Sequence, residues 1–142
     1  MPEYCAVHRL PRARIDPIDS PATALSMVSV LMSRPPRHET IVIPLDDQRR
    51  GLSVVVVADT VEPDSFFDIL DIVGLAAAGN DEISALVVAT VRPGGGIDEG
   101  DVDRWLEGSA LLDDRGIELV EWFIVGDDVC SPRDLLGERP RW

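Results

Sequence analysis

The stretch ISALVVATVRPGGGIDEGDVDRWLEGSALLDDRG (83–116) decides the fold. Its first nine residues are almost entirely apolar, with no polar alternation, which marks a strand covered on both faces. Pro93 and three glycines then break the run. Apolar residues return at helical spacing, with Val102, Trp105, Leu106, Ser109 and Leu112 on one face. Asp98 is the natural N-cap of that helix, acids fill its first turn, and Gly116 closes it. A buried strand, a glycine-rich loop and an amphipathic helix make an α/β unit. Its loop is where such domains usually place their chemistry.

The flanking sequence supplies the remaining elements. DSPATALSMVSVLMS (19–33) reads as a helix, with Ser20 as cap and Pro21 in the first position; Leu25, Val28, Leu31 and Met32 line its apolar side. TIVIPL (40–45) and LSVVVVAD (52–59) are β-branched runs around DDQRRG, a hairpin with a longer turn. Four consecutive valines predict a second strand covered on both faces. A helix from Pro63 to Gly79 carries Phe66, Leu70, Val73 and Ala77 as one stripe. IELVEWFIVG (117–126) and DDVCS (127–131) form a last hairpin. The expected order is α-β-β-α-β-α-β-β, an α/β domain with a mixed sheet flanked by helices. Its expected bounds are 18–136, with an irregular arm at 1–17 and a tail at 137–142.

Charge narrows the functions available. The net charge is −13; residues 1–50 hold 7 Arg against 6 acids, and residues 51–142 hold 6 Arg against 20. Such a surface repels phosphate backbones, so no nucleic-acid partner is expected. No apolar run reaches the roughly 18 to 20 residues that cross a bilayer, and the N-terminus is not a signal peptide. A cytoplasmic protein without membrane contact is expected. All 13 basic residues are arginine. That excludes Schiff-base and Walker-type lysine chemistry, and it is the bias of a GC-rich bacterial genome.

The loop itself lacks His, Cys, Ser and Lys. RPGGG matches neither GxGxxG nor GxxxxGK[ST], and Asp98, Glu99 and Asp101 would repel a phosphate at the helix start. Glu39, Asp98 and Asp101 are the candidate carboxylates for a hard cation or acid–base work, against plain roles as cap and first-turn acid for the last two. Cys5 and Cys130 read as separate thiols, and His8 and His38 as surface side chains. Trp105 and Trp122 read as core aromatics. Trp142, between arginines in the tail RPRW, reads as an anchor on this protein or on a partner, or as a frayed end.

From about residue 20 to 131 the chain resembles the RadC-like branch of the JAB/MPN (JAMM) metalloprotease-like superfamily. RGIELVEWFIVGDDVCSPR (115–133) is similar to that branch's closing segment. HETIVIPLDDQRRG (38–51) is similar to its first hairpin, and VEPDSFF (61–67) stands where the family has Val-His-Pro before a helix. The resemblance implies a cytidine-deaminase-like mixed sheet. In active members two histidines of a His-x-His-Pro-Ser-Gly loop and a following Asp bind zinc, a Glu from the first hairpin activates water, and a Ser steadies the oxyanion. Here Thr90 and Arg92 occupy the histidine positions, Asp101 the ligand position, Asp98 the oxyanion-Ser position and Glu39 the catalytic position. Zinc needs three protein ligands and an open site, so no cofactor is expected, and Arg92 is expected to pair with Asp101 or Glu39.

The resemblance therefore implies a pseudoenzyme whose vestigial site is Glu39, Thr90, Arg92, Asp98 and Asp101. Its expected function is as a protein-interaction or regulatory module with a protein partner or a second copy of itself. Two other readings stay open: a metal-dependent peptide or isopeptide hydrolase that recruits His38, Glu39 and Asp101, and a small-anion or ligand binder built on Arg92 and the glycine loop.

Overall fold

The computed structural model describes residues 10–142, so Cys5, His8 and the first nine residues of the arm lie outside the described residues. Helix α1 (Pro21–Leu31) starts as its residues direct: the Ser20 hydroxyl accepts from the Thr23 amide at 3.2 Å, with Pro21 in the first turn. Strands β1 (Glu39–Leu45) and β2 (Val55–Ala58) follow, then helix α2 (Ser65–Ala78). Strand β3 (Ala85–Val91), helix α3 (Asp101–Asp113), strands β4 (Glu118–Val125) and β5 (Val129–Cys130), and a short helix α4 (Pro132–Leu136) complete the chain. Helix α4 is not among the elements the sequence pattern predicts.

The strands form one five-stranded sheet in the order β2-β1-β3-β4-β5. The β3–β4 pair is parallel and the other pairs are antiparallel. Every residue of β1 and β3 is buried because helices cover both faces. On one face Ala24 and Val28 of α1 pack against Ile41, Ile43 and Leu45 of β1 and against Val87, Ala89 and Val91 of β3. On the other, Phe66, Ile69 and Leu70 of α2 and Trp105 and Leu112 of α3 pack on Val42, Leu86, Val88, Trp122 and Ile124. Each such aliphatic side chain contributes about 1.5–3 kcal/mol when fully buried.

Two local expectations are corrected. The valine run is not covered: β2 is an edge strand, with Val55 37% and Val56 47% exposed. β-Branched residues favour extended backbone wherever it lies, and only strand order decides what covers it. Helix α3 also begins later than expected. Its N-cap is Gly100, at φ +93°, a left-handed conformation that glycine adopts without strain, and Asp98 caps nothing. Of the expected apolar face, Leu106 points outward at 45% exposure, while Gly108 packs inward.

The tail is held on this protein. The Trp142 ring stacks near Phe123, 6.3 Å between centroids, and the Arg141 guanidinium lies 4.6 Å from the Trp105 ring centre. Arg141 also donates to the Leu119 carbonyl and to Glu138. Glu121, a buried acid inside the apolar run of β4, clips α4 down by accepting from the Ser131 hydroxyl at 2.5 Å and from Arg133 Nε at 2.9 Å.

Candidate functional site

The candidate site lies where β3 ends. Pairing with β4 continues one residue past the strand, through the Arg92 amide to the Val125 carbonyl at 2.8 Å. The glycine loop then folds back on the β4–β5 turn. The Gly95 amide donates to the Arg92 carbonyl, and the Asp127 amide to the Gly95 carbonyl. The approach is so close that a Cβ on Gly126 would lie 1.9 Å from the Gly95 oxygen. Glycine is therefore required there for contact and not for holding a ligand. With the Gly95 and Asp98 amides used internally, the loop is a poor cradle for an anion.

Asp101, the first residue of α3, is 0% exposed and accepts from three sources. Arg92 grips it with both nitrogens, Nη1 to Oδ2 at 2.6 Å and Nη2 to Oδ1 at 3.1 Å. Arg104, one turn along the helix, donates Nη1 to Oδ1 at 2.9 Å, and the Asp98 amide donates to Oδ2 at 2.6 Å. Arg104 extends the cluster to Asp64 ahead of α2. The Arg92 guanidinium lies 6.0 Å from the Trp122 ring centre. Burial alone pushes the Asp101 carboxyl up. The bonds from Arg92, the Asp98 amide and Arg104, with the Arg92 charge, outweigh burial and hold the carboxyl below the usual carboxylate range.

Thr90 shares the Arg92 face of β3, and its hydroxyl accepts from the buried Trp122 indole at 2.9 Å. Asp98 is exposed, and its carboxylate accepts from the Glu99 amide. Glu39 does not join the cluster. It shares the face of Ile41 and Ile43, on the α1 side of the sheet, where it accepts from the Ser33 amide at 2.7 Å and the Ser33 hydroxyl at 2.8 Å. The expected Arg92 pairing is thus with Asp101, while Glu39 is bonded to Ser33 on the α1 side of the sheet. His38, expected at the surface, is half-buried, with its Nδ1 unbonded.

Cys130 is a half-buried thiol near the loop; burial pushes it up, away from thiolate chemistry. Among the described residues, no three His, Cys, Asp or Glu side chains are grouped to hold a metal. Sequence reasoning missed Arg104 and the Glu121–Arg133 clip. The signals were present: Arg104 stands three residues after Asp101 on a helix, and Glu121 interrupts an apolar run.

Among the described residues no helix is long and apolar enough to cross a membrane. The molecule is defined by a mixed α/β fold with a helix-flanked five-stranded sheet and a buried Arg–Asp–Arg cluster at the end of its third strand. No protein-family model matches the chain, and no curated protein matches it.

Proposed function

We propose that this chain is a catalytically inactive, RadC-like JAB/MPN domain with a cytidine-deaminase-like sheet, acting in a bacterial cytoplasm by binding another protein. The observation that carries the reading is the saturation of Asp101. In the resemblance Asp101 is the one metal ligand retained. Here both its oxygens accept from arginines, and Oδ2 also accepts from an amide. Zinc would have to displace a bidentate guanidinium from a fully buried carboxylate and then bear its charge at close range. Thr90 offers only a hydroxyl already bonded to Trp122. These residues do not fit the metal. An Arg–carboxylate cluster instead satisfies the stranded acid and ties loop to helix.

The test is metal content. Protein purified without an affinity tag carries far less than one equivalent of zinc by mass spectrometry, and chelation with EDTA leaves its melting temperature unchanged. Near-stoichiometric zinc, lost together with stability on chelation, overturns the reading.

A further inference from the structure

Strand β2 ends the sheet. It pairs with β1 on one side, and its other edge has no strand partner among the described residues. Natural sheets usually blunt such an edge with lysine, proline or inward charge. The sequence of β2 is Val-Val-Val-Ala. Beside it runs a 280 Å³ groove, with Val55 and Val57 of β2 on one wall and Ile69, Ile72 and Val73 of α2 on the other. The apolar surface continues outward along α2, where Ile72 is 69% and Leu75 60% exposed. An edge strand beside an apolar trough is the geometry of strand addition: main-chain bonds give affinity, and alternate side chains fill the trough.

Charge selects the occupant. Asp59 and Asp68 line the groove, and Glu62 follows in the loop between β2 and α2. Among the described residues none of the three makes an ion pair, and no arginine lines the groove. They contrast with Asp64 and Asp71, which are neutralised by Arg104 and Arg115. All three stand at the end of the groove where β2 runs into its loop. A second copy docked by the same edge would bring its own net charge of −13 and the same unpaired acids, with no arginine in its groove to meet them. We infer that the β2 edge and its groove bind an extended segment of a partner protein that alternates apolar residues and carries Arg or Lys at one end. This rests on the interaction-module reading and names its surface.

The test uses the folded protein against a phage-displayed library of random linear peptides. Enriched sequences are expected to alternate apolar residues and to carry basic residues at one end. Amide NMR shifts on binding should map to Val55–Ala58 and the facing turns of α2. Ile72→Glu, at an exposed position that leaves the core intact, should weaken binding about tenfold or more. Asp59→Asn with Asp68→Asn should weaken it and flatten its salt dependence. The inference is overturned if no peptide is enriched, or if Ile72→Glu, shown folded by its melting temperature, binds as well as the parent. It is also overturned if sedimentation finds a dimer that Ile72→Glu dissociates, since the occupant is then a second copy. Peptides whose shifts map elsewhere sink this surface and leave the interaction reading standing. Stoichiometric zinc sinks that reading whatever the peptides do.

Discussion

Asp101 is a fully buried carboxylate, and its charge makes two predictions. Removing Arg92 takes two hydrogen bonds and a bidentate positive charge from Asp101 and one bond from the Gly96 carbonyl, while Arg104 and the Asp98 amide remain. Arg92→Ala should therefore destabilise by about 1–3 kcal/mol, short of a fully orphaned buried charge. Urea unfolding measures it, and a change within error would mean the cluster adds nothing net. The second concerns pH. The folded Asp101 carboxyl titrates below its unfolded value of about 3.9. Its stabilisation is thus fully present above roughly pH 5 and is lost as pH falls through the lowered folded value. Asp101→Asn should be less stable than the parent at pH 7 and should lose less stability between about pH 5 and pH 2. Parallel stability curves would show that other carboxylates, such as the similarly lowered Asp46, set the acid limb.

At the scale of elements, α2 and α3 meet without a spacer at Gly108. A Cβ there would lie 2.6 Å from a Phe66 ring carbon and 2.8 Å from a Leu70 methyl. Phe66 cannot yield easily, because its ring stacks on Trp122 with centroids 3.9 Å apart. Gly108→Ala should therefore cost about 1–3 kcal/mol by overpacking, although alanine is the better helix former. A more stable variant, seen as a raised melting temperature, would show that the two helices can separate freely. The same packing explains what was legible here. Helical spacing places Ser109 on the buried face of α3, whereas Gly108 is the buried residue. A residue without a side chain gives no hydrophobic signal even when it is the point of closest contact. Glu39 teaches a similar lesson about strands. The resemblance groups it with Asp101, but strand parity turns it to the α1 side, since neighbouring residues on a strand face opposite ways.

For the whole molecule, the governing quantity is a net charge of −13. Self-repulsion of the carboxylates opposes compaction, while exposed pairs such as Arg12–Asp16 and Arg14–Glu82 add little. Raising ionic strength from about 0.01 M to about 0.15 M shortens the screening length from roughly 30 Å to 8 Å. The melting temperature should rise across that range in a scanning calorimeter. A fall would mean that attractive surface pairs outweigh the repulsion.

The sequence by itself determined the α/β class, the strands β1, β3 and β4 with β3 buried, and the Ser20-capped first helix. These follow from signals carried within a short window: apolar runs, helical spacing and a cap. Tertiary structure alone decided that β2 is the exposed edge, that Asp101 turns inward beneath two arginines, that Glu39 faces away from it, and that the tail folds back onto Phe123 and Trp105. Each depends on what the rest of the chain brings alongside. Propensity fixes whether a residue is extended or helical, but burial and partnership are fixed by neighbours distant in sequence.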